Sequence, residues 1–246
     1  MNHWIYNWKK NLLMVVNILL AVYLFFAITS FNQPVDGNEL VCSQVKIDIK
    51  DAVVDGFLNA NEIKSILQKA KLYPLAQPMD KIDARKIEDV LKSSPFVNDA
   101  QCYKTQMGHV CIQLTQRTPV MRVKAENGDD YYVDNHGGVM PNSKYCSEIM
   151  IATGKVSRQY ACKVLTKLGN TIVNDKFWRN QIVQVNVLAD GTVELVPRVG
   201  EHIIYIGYPN RLTEKLARLE KFYRYGLSEA GWNKYSYINL AFENQI

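Results

Sequence analysis

Residues 12–31, LLMVVNILLAVYLFFAITSF, carry no charged side chain, and the rest of the chain is read from this one stretch. At ~1.5 Å of rise per residue, about twenty helical residues match the ~30 Å hydrocarbon core of a bilayer. Asn17, Thr29 and Ser30 are its main polar members, and the uncharged run extends from Asn11 to Val35, which leaves room for tilt. A cleaved secretory signal also has a basic start and an apolar middle. Its apolar region runs only ~7 to 15 residues, however, and ends at a small-residue site, to which Ala27-Ile28-Thr29 is a weak match. The stretch therefore reads as an uncleaved single membrane span. Lys9 and Lys10 precede it, and Asp36 and Glu39 are the first charges after it. The positive-inside rule then places the tail (1–11) in the cytoplasm, with Trp4, Tyr6 and Trp8 as an interfacial aromatic belt.

Most of the 246 residues lie beyond this helix, enough for one large or two modest domains. Of 29 Lys and Arg, only Lys9 and Lys10 precede the span, and all 24 acidic residues follow it. That near-balance argues against a nucleic-acid partner. The five cysteines form no C-x-x-C and no Cys/His cluster at zinc spacing, so no metal or other cofactor is expected.

After a polar linker (32–44), residues 45–118 read as one module. Val45 to Lys50 alternate as a half-buried strand. Asn59 with Glu62 forms a capping-box pair ahead of the stripe Ile63, Ile66, Leu67 and Ala70. Asp83 caps a second helix with Ile87, Val90 and Leu91 on one side, and Pro95 ends it. Two strands follow, Val97 to Lys104 and His109 to Thr115, giving the order β-α-α-β-β. With Thr105-Gln106-Met107-Gly108 as a four-residue turn, Cys102 and Cys111 stand opposite each other. Opposed residues lie ~4.5 to 5.5 Å apart at Cα, within disulfide reach. The alternative is two small buried hydrophobes.

Residues 119–246 read as a second, strand-rich domain. Asn127-Gly128 and Asp190-Gly191 are hairpin turns. Val156 to Leu168 reads as a helix stopped by Gly169, and Arg211 to Tyr225 as an amphipathic helix stopped by Gly226. Tyr235 to Phe242 is the last strand. The expected class is α+β: a transmembrane helix, the β-α-α-β-β module, then a mainly antiparallel sheet with helices on one face.

A single N-terminal span, a short linker and a β-α-α-β-β module resemble the POTRA architecture of the bacterial cell-division family FtsQ/DivIB. The resemblance is carried by Phe57-Leu58, Ile87-Glu88, Pro95-Phe96-Val97, Gln116-Arg117-Thr118-Pro119-Val120, Tyr131-Tyr132-Val133-Asp134 and Gly137-Gly138-Val139-Met140-Pro141, in order along nearly the whole chain. It implies a non-catalytic scaffold at the division septum of the inner membrane. It also implies recruitment through the POTRA domain by upstream division proteins, and binding of the small coiled-coil proteins FtsB and FtsL by strand addition to the last strand. A membrane-anchored POTRA protein that binds extended peptides during export or envelope assembly is the alternative.

No catalytic constellation accompanies this. His3, His109, His136 and His202 are scattered, and P-loop, G-x-S-x-G and H-E-x-x-H motifs are absent. Asp134-Asn135-His136-Gly137-Gly138 combines an acid, an imidazole and flexible backbone, but these are also the residues a tight hairpin needs. On the last strand, Tyr235, Tyr237, Asn239, Ala241 and Glu243 point one way. Ser236, Ile238, Leu240 and Phe242 point the other, toward the core. The candidate partner surface is the first set, with Phe242 at the strand's end and Arg218 and Arg224 on the flanking helix. Plain sheet packing for the tyrosines, and a solvated helix face for the arginines, are the competing readings.

Overall fold

The apolar stretch forms the greater part of one uninterrupted helix, α1 (Asn2–Phe31). The structure, a computed structural model, describes residues 2–31, 40–50, 58–143 and 149–243; residues 32–39 of the expected linker, Phe57, Cys146 and the side chains of Trp4 and Tyr6 lie outside them. Within α1, Lys10–Ser30 has a mean hydropathy of 2.6 and nothing in it is buried by protein. A helix apolar on every side needs a partner or lipid around it. Thr29 returns its hydroxyl to the Phe25 carbonyl at 2.9 Å, the local solution for a polar group at membrane depth.

The first domain comprises β1 (Gln44–Lys50), α2 (Ala60–Lys69), α3 (Ala84–Lys92), β2 (Val97–Lys104) and β3 (His109–Gln116). The sheet order is β1-β3-β2, with β1 parallel and β2 antiparallel to the central β3. Both helix starts are side-chain capped. Asn59 Oδ1 accepts the Glu62 N–H at 2.9 Å while Glu62 Oε2 accepts the Asn59 N–H, and Asp83 Oδ1 accepts the Lys86 N–H. Ile63, Leu67, Ile87 and Leu91 project from the helices onto Ala100, Ile112 and Leu114 of the sheet.

The expected cysteine pairing fails here by one residue. Thr105 donates its N–H to the His109 carbonyl at 2.9 Å, and Gly108 takes φ +74°, so the turn has three residues, not four. The register therefore pairs Cys102 with Ile112 and Tyr103 with Cys111. Cys102 enters the core, Cys111 stands on the opposite face, and both are free thiols. Burial pushes the Cys102 thiol up to about 11.

The second domain is one eight-stranded sheet of β4 (Pro119–Ala125), β5 (Asp130–Asp134), β6 (Val139–Pro141), β7 (Ile151–Gly154), β8 (Ile182–Val187), β9 (Val193–Pro197), β10 (Ile203–Gly207) and β11 (Tyr237–Asn239). Its order is β11-β10-β9-β8-β7-β4-β5-β6. Four of the seven neighbouring pairs are antiparallel, and β4–β7, β7–β8 and β10–β11 are parallel.

Helical segments Arg158–Tyr160, Ala161–Leu165 and Thr166–Asn174 run on without a break, the middle one a π turn, and so do Leu212–Phe222, Tyr223–Leu227 and Ser228–Ala230. Neither glycine expected to stop these helices does so. A Cβ on Gly169 would come within 3.2 Å of Val120 Cγ2, so this glycine lets the helix lie close on β4. Gly226 leaves room for the Phe222 ring, and the helix ends instead at Gly231, where φ is +94°. Leu165, Leu168, Ile172, Leu216, Leu219 and Tyr223 pack on one face of the sheet. On the other face, Tyr132 and Met140 are covered by Ile149 and by Phe96 of the first domain.

Candidate docking edge

β11 is the outermost strand at one end of the sheet, and among the described residues only β10 lies beside it. Ile203 donates its N–H to the Ser236 carbonyl at 3.0 Å, and Leu240 donates to the Tyr205 carbonyl at 2.8 Å. Backbone groups alternate along a strand, so those of residues 236, 238 and 240 are turned to β10 and those of Tyr237 and Asn239 face away. Ile238 and Leu240 sink into the core, while Tyr235 and Tyr237 are 39% and 49% exposed. The Tyr237 ring stacks on Tyr205 at 6.0 Å, and Tyr235 lies against Phe222 at 5.6 Å. Partial burial, helped by Glu194 and Tyr205, holds the Tyr237 phenol above its ordinary pKa.

Beyond Leu240 the chain leaves the sheet. Asn239 Oδ1 accepts the Ala241 N–H at 2.9 Å, and a bend follows. Phe242, expected on the core face, is consequently 62% exposed. Arg218 donates to the Phe242 carbonyl at 2.6 Å and to the Leu240 carbonyl at 3.2 Å, and Glu243 pairs with Arg211. Arg211 also pairs with Glu214. Arg211, Glu214, Arg218, Ala241 and Glu243 help to line a cleft of about 330 Å³.

The opposite end of the same sheet meets the first domain. Arg117 donates to Asp134 Oδ2 at 2.7 Å, to the Pro95 carbonyl at 3.0 Å and to the Val139 carbonyl at 3.3 Å. Asp134 Oδ1 accepts the N–H groups of His136 and Gly138. Asp134 to Gly138 is therefore the hairpin turn, with its acid committed to the turn and to Arg117.

Two family models match this architecture. One described as "FtsQ/DivIB, C-terminal related" matches residues 118–246, more than half of the chain. The chain belongs to the FtsQ/DivIB family. A POTRA-like domain model matches residues 40–115. No curated protein gives a significant match. FtsQ/DivIB is a family of non-enzymatic division proteins, which makes this chain a division-associated scaffold, and its one N-terminal apolar helix fits single-pass anchoring in a membrane. Among the described residues, no three His, Cys, Asp or Glu side chains come close enough to hold a metal ion.

Within this FtsQ/DivIB chain the candidate residues are not all in one place. Tyr235, Tyr237, Asn239, Ala241, Phe242, Glu243 and Arg218 gather at the β11 end. Arg224 instead pairs with Glu220 one turn away at 2.7 Å and lies 5.7 Å from the Phe177 ring, the solvated-face arrangement. Cys102 and Cys111 belong to the other domain.

Three contributors are missing from the sequence-based set. Lys215 is buried with its ammonium on the Ile206 and Tyr208 carbonyls and Asn210 Oδ1, fixing the loop from β10 to the flanking helix. Burial, then Arg218 and Arg211, lower its pKa. Its position three residues after Leu212, on the buried stripe, was the available signal. His202, also buried, meets the Tyr223 hydroxyl at 2.6 Å through Nε2 while Nδ1 has no hydrogen-bond partner among the described residues, and burial lowers its pKa. Arg211 takes φ +48°, a backbone state that composition does not reveal.

Proposed function

We propose that this FtsQ/DivIB chain binds the coiled-coil division proteins FtsB and FtsL by strand addition to β11, with its N-terminus in the cytoplasm and its two domains outside the inner membrane at the septum. The supporting observation is the outward-facing main chain of Tyr237 and Asn239 on an edge strand. Unpaired N–H and C=O groups of this kind are a template for another chain. Tyr235 and Tyr237 supply half-exposed aromatic surface beside them, and aromatic residues make good interface anchors. The first domain contributes to recruitment by upstream division proteins. Residues 32–39 serve as the spacer, because Leu40 to Gln44 of the expected linker already hydrogen-bond or pair within the first domain and Cys42 is buried in its core. The membrane span confines partners to two dimensions, which raises their effective concentration.

Asn239→Pro tests the reading. Asn239 turns its N–H outward, so proline there spares the ladder to β10 and removes a donor from the free edge. The full-length variant, reconstituted in nanodiscs, should bind the FtsB–FtsL complex at least tenfold more weakly, about 1.4 kcal/mol. Undiminished binding by a folded variant, or a fluorescent fusion spread evenly round the cell instead of at midcell, overturns it. Recovery of outer-membrane assembly proteins without division partners would favour the peptide-binding alternative.

A further inference from the structure

The docking edge is shorter than the sheet beneath it. In the parallel pairing, Ile203, Ile204 and Tyr205 match Tyr237, Ile238 and Asn239, and β10 runs on to Gly207. The same register continued would lay Ala241 opposite Gly207 and turn the Ala241 N–H outward, in line with those of Tyr237 and Asn239. The neighbouring strand therefore does not run out; β11 leaves it.

We propose that Asn239 is the residue that ends the docking edge, fixing where an added partner strand must stop. The inference rests on the docking reading above. Asn239 Oδ1 takes the Ala241 N–H at 2.9 Å, so the third donor of the edge is satisfied within the chain before any partner arrives. Asn and Asp side chains commonly bond their own backbone two residues on and so replace sheet pairing with a turn. Arg218 then holds the bent segment by the Leu240 and Phe242 carbonyls, and Arg211 holds Glu243. Ala241 is seated against Gly207, where a Cβ would meet the Ala241 Cβ at 3.1 Å.

An incoming strand consequently finds the donors and acceptors of Tyr237 and Asn239 and no third position. An edge this short recognises few strands by main chain alone. Discrimination falls instead to side chains packing beside Tyr235 and Tyr237. An added strand that runs past Asn239 has to displace the asparagine side chain and the bend together.

The test uses the full-length chain in nanodiscs, labelled with 15N-alanine. In Asn239→Ala, amide exchange at Ala241 should accelerate at least tenfold, while exchange at Ala152, buried in β7 at the middle of the sheet, stays slow and reports that the fold is kept. Asn239→Asp retains the acceptor and should keep Ala241 protected. Affinity for the FtsB–FtsL complex should rise roughly 3- to 10-fold in Asn239→Ala, the effect of one or two further main-chain hydrogen bonds. Unchanged Ala241 exchange, or equal or weaker binding by Asn239→Ala, overturns the proposal. The failures are separable because Asn239→Pro and Asn239→Ala both lose the side-chain acceptor and differ in the outward N–H. If Asn239→Pro binds no more weakly than Asn239→Ala, the docking reading itself falls, whereas weaker binding by Asn239→Pro with Asn239→Ala at the affinity of the unaltered chain removes only the stop.

Discussion

At the β6 end of the eight-stranded sheet, Arg117 bonds the carbonyls of Pro95 and Val139 while its charge rests on Asp134, whose side chain is 4% exposed. At the β11 end, Arg218 bonds the carbonyls of buried Leu240 and exposed Phe242. The two guanidiniums perform the same chemistry on backbone oxygens, and their surroundings separate the outcomes. Beside Arg117 the Asp134 carboxylate is shut off from water and held by two backbone N–H groups, so parting the pair strands a buried charge. Arg218 holds neutral carbonyls, and water can replace its bond to the exposed Phe242, so opening costs less. One end works as a fixed joint between domains, and the other, the proposed docking edge, is held by bonds that part at lower cost.

The largest expected effect is at the fixed joint. Arg117→Ala should lose about 3 kcal/mol of stability, because the Asp134 carboxylate stays buried without its cation. Urea unfolding followed by tryptophan fluorescence measures it, and a loss below about 1 kcal/mol would place the joint with the exposed contacts. Gly138→Ala comes next. A Cβ there would fall on Arg117 Nη2 and lie 3.1 Å from Asp134 Oδ2, so the guanidinium must move. Overpacking of this kind costs about 2 kcal/mol, and Arg117→Ala combined with Gly138→Ala should then cost less than the two single losses together.

Both ends were unequally legible in the sequence. The Asn59–Glu62 box, the Asp83 cap and the alternation of Ile238 and Leu240 follow from local rules, since three or four residues contain all the interacting groups. Arg117 and Asp134 are separated by a whole hairpin, and an acid closing the apolar run Tyr131-Tyr132-Val133 was the only hint of a buried pair. Gly169 and Gly226 mislead for a related reason. Glycine near the end of a stripe signals a helix stop, but here a distant partner, Val120, and a neighbouring ring, Phe222, need the missing side chain. The hairpin at Gly108 shows how one turn residue decides a register, and with it the fate of two cysteines. The expected strand from Tyr235 to Phe242 shortens to Tyr237–Asn239, and at its C-terminal end the Asn239 side chain takes the Ala241 N–H.

At the exposed end the effects are smaller. Arg218→Ala should cost about 1 kcal/mol of global stability, the net worth of its carbonyl bonds, while hydrogen exchange over residues 240–243 rises steeply. A global loss near that of Arg117→Ala would erase the contrast between the ends. His202 gives this region a pH signature. Burial lowers its folded pKa below the ordinary 6.5, so the unfolded chain binds the proton first. Its contribution is intact above pH 6.5 and is lost as pH falls; between pH 7 and pH 6 one such site removes at most ~0.7 kcal/mol. His202→Gln should flatten the pH dependence of the urea midpoint across that interval by a matching amount, and an unchanged slope would show that His202 does not titrate differently in the two states.

Arg224 sharpens the comparison from below. It lies on the same helix as Arg218 and carries the same group, yet its contacts are Glu220 at i−4 and the face of Phe177, both on an accessible surface. Pairs of this kind are worth only a few tenths of a kcal/mol and weaken with salt. Arg224→Ala should therefore change stability by less than about 0.5 kcal/mol and leave affinity for the FtsB–FtsL complex unaltered, whereas Arg218→Ala changes the docking end. If Arg224→Ala weakened partner binding tenfold at low salt and less at high salt, the partner footprint would have to extend along the helix away from β11, and the edge would no longer be the whole of the docking surface.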